Sequence, residues 1–351
     1  MSKNGGLYDR VITLFSRIGG PGVFSVVDLS GNTPLHSAMR EETDIEALRC
    51  LIRAYPDALS MKTLYGDTPL HLATTRRVSA EMVREIAISG DGSLLLTRNT
   101  SCQTPMSIAM EDFELACKNS CAGCRAKSHE LQAETQRAFN VLATLVKILA
   151  YGSKGDRDRS GSLVQACMSL HRQNVRLDPA FILRALHLYP EEARLLDQYG
   201  NTPLHLEASI PVEKMSLLSS SASTRNRTSC GCHDRTNILR ALFDIYPAAC
   251  QVQNHAGEFP LSVMIQTGRA WDQTFALILR AFPEALHWSV GVNNTKMFPL
   301  ILSKVAVLCG SDTLFALIHS RPDIAAYGNT KKECDRNHEN SFNFSNTLLP
   351  L

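Results

Sequence analysis

The sequence predicts an all-α fold in which short helix–turn–helix units repeat and are joined by β-turns or β-turn fingers, without a sizeable sheet. Two recurring patterns support this prediction. The first is Thr-Pro-Leu-His, which begins at Thr33, Thr68 and Thr202, each time two residues after a glycine. The second is an apolar helix face that ends at an aromatic residue followed by proline. Self-similarity at a period of roughly 20 to 50 residues is typical of repeat proteins.

Weaker copies extend the first pattern along the chain. The copy that begins at Thr104 retains the threonine and proline, and the copies that begin at Phe259 and Phe298 retain Pro-Leu. Ser162 precedes a copy that has lost its proline. The repeat positions are therefore 34, 69, 105, 162, 203, 260 and 299, with spacings of 35, 36, 57, 41, 57 and 39 residues. The sequence thus predicts about seven units, two of which are about 20 residues longer than the others.

The first pattern predicts a turn followed by a short helix. Glycine tolerates the positive φ that tight turns require. Threonine can cap a helix through its hydroxyl group, and proline suits the first helical position, where an N–H would have no partner. Each unit is therefore expected to begin with a turn and a capped helix.

The second pattern predicts the longer helix of each unit. Leu48, Leu51 and Ile52 precede Pro56 by eight, five and four residues, and the same spacing recurs before four later prolines. Residues at i, i+3 and i+4 share one face of a helix. Proline then ends the helix, because it disfavours helical geometry in the residue before it. The later prolines of this pattern are Pro190, Pro247, Pro283 and Pro322.

The chain resembles ankyrin-repeat proteins over roughly residues 7 to 330. Their hallmark Thr-Pro-Leu-His-x-Ala is seen at Thr68–Ala73 and again at Thr33–Ala38. The resemblance implies a curved helical solenoid with a concave binding surface, in which each motif histidine ties one turn to its neighbour by hydrogen bonds. The chain departs from the family at Glu207, where alanine is expected, and in the Tyr-Pro that replaces the usual Gly-Ala after the second helix.

The spacing predicts three regions. Residues 1–22 form an N-terminal half-repeat cap, residues 23–326 form the repeat array, and residues 327–351 form a polar, disordered tail. The two long units carry inserts at about residues 111–128 and 209–235, which we expect to be loops on one edge of the array.

Composition excludes several classes of function. The 351 residues are 44% apolar and carry a net charge of +2, so no electrostatic case exists for nucleic acid or an anionic membrane. No run approaches the roughly 18 apolar residues of a membrane helix, and the first residues lack the apolar core of a secretion signal. We expect a monomer in the cytoplasm or nucleus with its eleven cysteines reduced.

These observations favour a non-enzymatic scaffold that binds unidentified partner proteins on the concave face. No recognised catalytic or cofactor motif occurs, so neither a catalytic residue nor a cofactor is predicted. Candidate contacts are the turn residues ahead of each proline and the exits of the first helices. They are Asn32, Met39, Arg40, Tyr65, Asp67, Arg76, Arg77, Tyr199, Asn201, His255 and Glu258.

An alternative is a zinc-binding or redox-responsive module formed by the inserts. Cys117, Cys121, Cys124 and His129 offer thiolate and imidazole ligands, which suit zinc. The second insert contains Cys230, Cys232 and His233, which could share such a site, and the cysteines of the two inserts could instead serve in redox chemistry. The spacing matches no known zinc finger, so ordinary loop thiols remain the simpler interpretation.

Overall fold

The protein is all-helical throughout the residues that the structure describes. In this computed structural model these residues are 21–39, 44–76, 78–90, 92–122, 129–152, 161–173, 175, 177–210, 236–286 and 300–322. They form fourteen α-helices and no β-strand, so the predicted fold class is confirmed at that level. Most of the predicted N-terminal cap, nearly all of the second insert and the whole C-terminal tail lie outside the described residues.

The chain divides into two compact units, and the first comprises Met1–Leu188. Its described residues contain four helix pairs. These are α1 (Pro34–Ala38) with α2 (Ile45–Ala54), α3 (Pro69–Thr75) with α4 (Ala80–Ser89), α5 (Pro105–Ala122) with α6 (His129–Tyr151), and α7 (Leu163–Arg172) with α8 (Pro179–Leu188).

The second unit comprises Tyr189–Leu351 and contains three helix pairs in its described part. Together the two units supply the seven helix pairs that the spacing predicts. The second unit's pairs are α9 (Pro203–Ala208) with α10 (Thr236–Ile245), α11 (Pro260–Gln266) with α12 (Gln273–Ala281), and α13 (Leu300–Leu308) with α14 (Ser311–Ser320).

The first helices begin where the motif predicts. Thr33 caps α1, and its Oγ1 accepts a 3.4 Å hydrogen bond from the backbone N–H of His36. The copy without proline behaves in the same way: Ser162 caps α7, and its Oγ accepts a 3.1 Å bond from the N–H of Gln165. A hydroxyl at the cap therefore starts these helices with or without proline.

The second helices bury the predicted apolar faces. Leu48 and Ile52 of α2 are buried, as are Ile182 and Leu186 of α8. Tyr189, the aromatic residue at which that face ends in the sequence pattern, is exposed. The Tyr-Pro or Phe-Pro proline that follows each of four second helices also begins a short 3-10 helix, which the sequence interpretation missed. These helices are Pro56–Leu59, Pro190–Arg194, Pro247–Gln251 and Pro283–Leu286; two others span Pro21–Ser25 and Gly92–Leu96.

Helix pairs pack on their neighbours within each unit. In the first unit α3 contacts both α1 and α5, while α4 contacts both α2 and α6. In the second unit α11 contacts α9 and α13, while α10 contacts α12. In these pairs first helices therefore pack against first helices, and second helices against second helices. The fourth pair differs, because its first helix α7 packs on α6, the second helix of the preceding pair.

The expectation of a loop at residues 111–128 is wrong over its described part. Helix α5 continues to Ala122, and α6 begins at His129 and is 23 residues long. Residues 106–122 contain neither glycine nor proline, so nothing ends the helix early. Phe113 lies within the insert and is buried, with its ring centroid 5.5 Å from that of Phe181. This part of the insert therefore belongs to the core.

Candidate functional site: the stacked turns

In the described part of the chain, five β-turns of one design precede first helices, and they form two stacks. We call residues 28–32, 63–67 and 99–103 of the first unit the first stack, and residues 197–201 and 254–258 of the second unit the second stack. In each turn the fourth residue donates its N–H to the carbonyl of the first, as in the 2.9 Å bond from Gly66 N to Thr63 O. A second bond runs from the first N–H to the fifth carbonyl, at 2.9 Å between Thr63 N and Asp67 O.

The side chain of the first turn residue fixes the turn from inside. Oδ1 of Asp197 accepts hydrogen bonds of 2.8 Å from the N–H groups of Tyr199 and Asn201. The first residues of the other turns play the same part with an aspartate, threonine or asparagine oxygen. The sequence carries this signal, because a residue of this kind stands five positions before the helix cap in each of these five copies. These residues are Asp28, Thr63, Asn99, Asp197 and Asn254.

Successive turns in a stack are joined by backbone hydrogen bonds. The N–H of Leu64 donates to Ser30 O at 3.0 Å, and the N–H of Thr100 donates to Tyr65 O at 3.1 Å. Gly66 makes the close approach possible: its φ is +74°, and a Cβ there would lie 2.8 Å from the backbone nitrogen of Thr100. The glycine is therefore required both for its conformation and for its lack of a side chain.

The motif histidines provide a second link between turns. In the second turn of the first stack, the N–H of Thr68 donates to Nδ1 of His71 at 3.2 Å. This fixes Nδ1 as an acceptor, so Nε2 carries the proton and donates to the carbonyl of Gln103, 3.2 Å away. His36 and His205 make the equivalent links, which confirms the structural role that the resemblance implies.

The same histidines are buried and held neutral. Burial lowers the pKa of His36, His71 and His205, because desolvation penalises the charged imidazolium. Their bonds to backbone carbonyls oppose that shift in part. In all three, one ring nitrogen serves the helix cap and the other serves the neighbouring turn, which makes the histidines part of the scaffold.

The third turn of the first stack departs from this pattern. Ser107 stands where the other copies have histidine, and its Oγ accepts a 2.9 Å bond from the N–H of Thr104. The same hydroxyl donates to Thr104 O, so it serves only its own turn. Cys102 replaces the glycine and has a φ of +60°, a conformation that L residues adopt at a cost. This turn thus keeps the cap and lacks the histidine link.

Four of the predicted contact residues are exposed: Tyr65, Arg76, Tyr199 and His255. Three others are half-buried, and two of these join neighbouring turns. Oδ1 of Asp67 accepts a 2.8 Å bond from Asn99 Nδ2, and Oδ1 of Asn201 accepts one of 3.0 Å from Asn254 Nδ2. The carboxylate of Glu258, the third, accepts bonds from Asn254 and Gln266.

Two predicted contact residues are not accessible to a partner. Asn32 is 5% exposed because it lies inside its turn, where its Nδ2 donates to Asp28 Oδ2 at 2.8 Å. Met39 is 1% exposed at the end of α1. The expectation that these side chains lie on the surface is wrong. Arg40 and Arg77 lie outside the described residues.

Apolar side chains that the sequence interpretation missed are exposed on the first stack. Leu29 is 101% exposed and Leu64 is 72% exposed, beside Tyr65 at 69%. Val26 and Val27 precede the first turn and are also exposed. We call Val26, Val27, Leu29, Leu64 and Tyr65 the tip row. The sequence signal is a leucine directly after the residue that fixes the turn, as in Asp28-Leu29 and Thr63-Leu64.

Over its described part, residues 111–122, the cysteine insert is helical and not the loop that the zinc hypothesis assumed. Cys117 and Cys121 lie one turn apart on α5, and His129 is the first residue of α6. Cys124 lies outside the described residues. Among those the structure does describe, no group of three or more histidine, cysteine or acidic residues is placed to bind a metal. Zinc binding therefore stays a prediction.

The redox hypothesis also stays a prediction. Its cysteines in the second insert, Cys230 and Cys232, fall outside the described residues. Two cysteines elsewhere are unreactive in character: burial raises the pKa of the Cys250 thiol to about 11 and raises that of Cys309. Because the thiolate is the reactive form, these two do not suit redox chemistry.

No protein-family model matches the chain, and no curated protein matches it. In the described parts of the chain, none of the helices combines the length and the apolar character that crossing a membrane requires.

Proposed function

We propose that this protein is an ankyrin-like repeat solenoid that acts as a non-enzymatic scaffold and binds a partner protein through its stacked turns. The observation that carries the proposal is the tip row. Exposed apolar patches on soluble proteins often mark interaction sites. The side chains of Leu29 and Leu64 are largely exposed to solvent. Each follows a residue, Asp28 or Thr63, whose side chain fixes the turn by hydrogen bonds.

The rigidity of the turns supports a binding role. The first stack is tied by two backbone bonds between turns, by two histidine links and by the bond from Asn99 to Asp67. A surface that is already ordered loses less conformational entropy when it binds. A few apolar and aromatic anchors on such a surface can supply most of the binding free energy. The chemistry therefore suits a partner segment that presents apolar side chains.

The second stack offers a smaller surface of the same kind. Tyr199 occupies the same turn position as Tyr65, and Leu195 and Leu196 precede that turn as Val26 and Val27 precede the first. All three of these residues, at or just before the second stack, are exposed. Both units thus place an exposed apolar group at the same point of the repeat.

A substitution experiment tests the proposal. Leu29→Ser, Leu64→Ser and Tyr65→Ser are introduced together, and proteins captured from cells by proximity labelling are compared with those of the unaltered chain. The matched control carries Leu115→Ser, Val307→Ser and Phe315→Ser, which alter three other exposed apolar residues. We expect the tip variant to lose its main partners by about tenfold or more, since hot-spot residues contribute about 2 kcal/mol or more each.

The control decides the interpretation. If the tip variant keeps its partners, or if the control loses the same partners to the same extent, the tip row is not the binding site. Circular dichroism melting of both variants shows whether the fold is retained, which we expect because all six side chains are exposed.

A further inference from the structure

The connection between α3 and α4 carries two adjacent arginines followed by a serine. The sequence is Arg76-Arg77-Val78-Ser79, and adjacent arginines occur nowhere else in the chain. Helix α3 ends at Thr75 and α4 begins at Ala80, so the motif lies between the helices. Arg77 itself lies outside the described residues, and only its place in the sequence is known.

The described side chains of the motif are available to another protein. Arg76 and Ser79 are both exposed. Within the described part of the chain, the Arg76 guanidinium takes part in no ion pair. The Ser79 Oγ accepts a 3.3 Å bond from the N–H of Met82, and its own hydroxyl proton is not needed for that bond.

We propose that Ser79 is a phosphorylation site for an arginine-directed serine kinase. Kinases distinguish substrates by charge pattern, and arginines three and two residues before the serine suit a kinase whose substrate groove is acidic. The γ-phosphoryl group of Mg·ATP passes to Ser79 Oγ, which forms the new O–P bond. The bond between the γ-phosphorus and the bridging oxygen breaks to leave ADP, and the hydroxyl proton passes to the kinase's catalytic aspartate.

The surroundings of Ser79 can accommodate the phosphate. Ser79 has extended backbone geometry, with φ −60° and ψ 147°, and precedes the ten residues of α4. The first-turn N–H groups of a helix favour a negative charge, and Arg76 adds a positive one, while Glu81 in that turn opposes it. A charge of about −1.5 to −2 would then stand three residues after Arg76, one of the predicted partner contacts. The modification does not depend on the proposed function.

The test uses the full-length protein, Mg·ATP and the catalytic subunit of cyclic-AMP-dependent protein kinase, which is arginine-directed. Phosphate at each serine is followed in time by site-resolved mass spectrometry. Ser101 is the internal control, because it is exposed and has a single arginine, Arg98, three residues before it. We expect Ser79 to be phosphorylated at least about tenfold faster than Ser101, and to approach one phosphate per chain.

A second variant tests the role of the arginines. Arg76→Gln with Arg77→Gln should slow modification of Ser79 by about tenfold or more and leave the rate at Ser101 unchanged. The proposal is overturned if Ser79 in the unaltered protein reacts no faster than Ser101. It is equally overturned if the double variant, with an unchanged melting temperature, is modified at Ser79 as fast as the unaltered chain.

Discussion

The second and third turns of the first stack share their capping chemistry and differ in how they connect to the rest of the chain. In the second turn, Gly66 admits the backbone of Thr100 and His71 reaches the carbonyl of Gln103. In the third, Cys102 and Ser107 hold the same positions, and the Ser107 hydroxyl bonds only to Thr104. The comparison shows that threonine and proline start the helix, while glycine and histidine join one turn to the next.

The largest expected effect comes from removing the histidine link. His71→Ala leaves the buried N–H of Thr68 without an acceptor and the Gln103 carbonyl without that donor, and it opens a cavity. We expect a loss of about 3 kcal/mol in the free energy of unfolding, measured by urea denaturation. Ser107→Ala should cost about 1 kcal/mol, because only a local cap is lost. Equal losses for the two variants would show that the link between turns contributes nothing.

Two turn glycines, Gly66 and Gly257, separate the energetic effect of a positive φ from that of close packing against the next turn. Gly66 and Gly257 have nearly the same φ, at +74° and +75°. A Cβ at Gly66 would meet Thr100 N at 2.8 Å, whereas a Cβ at Gly257 would have no atom within 4 Å. Gly66→Ala should therefore cost about 2–3 kcal/mol and Gly257→Ala about 1 kcal/mol in urea denaturation. If Gly257→Ala lowers stability as much as Gly66→Ala, the positive φ alone explains why glycine is needed at this turn position.

Acid should weaken the histidine-containing turns and spare the serine-containing one. The folded pKa values of His36, His71 and His205 lie below their ordinary value, chiefly because burial desolvates the rings. Below about pH 6.5 the unfolded chain therefore binds more protons than the folded chain. The stability these groups contribute is complete above that pH and is lost as the pH falls through their folded values.

Unfolding free energies measured in urea between pH 7.5 and 5 provide the check. The unfolding free energy should change less steeply with pH in the His71→Ser variant. This substitution gives the second turn a serine, as Ser107 provides in the third turn. An unchanged slope in that variant would contradict the assignment of His71 as a buried neutral group.

The smallest expected effect is a gain. Cys102→Gly removes the cost of holding an L residue at a φ of +60°, offset in part by the greater freedom of glycine in the unfolded chain. We expect stability to rise by about 0.5 kcal/mol. A matched substitution at Ser101, such as Ser101→Gly, should lower stability slightly, because its φ is not positive. A loss at Cys102 would show that its side chain makes a contact that outweighs the strain.

The sequence predicted the helices more completely than the site. The seven helix pairs begin where Pro34, Pro69 and their equivalents predict, because caps and apolar periodicity are local signals. Asn32 and Met39 were misjudged because burial depends on packing that one segment does not show. The prediction of a loop at residues 111–122 is wrong, because added length and an unfamiliar cysteine spacing do not by themselves indicate a loop. The absence of glycine and proline, together with Phe113, points to a helix.

The most direct test of the account places a photo-crosslinker on the tip row. A benzophenone amino acid is introduced in place of Leu64 in one protein and in place of Leu115 in another, since both leucines are exposed. After irradiation in cells, the account predicts a discrete crosslinked partner protein from position 64 and not from position 115. No adduct at position 64, or the same adducts from both positions, would contradict the claim that the stacked turns form the binding surface.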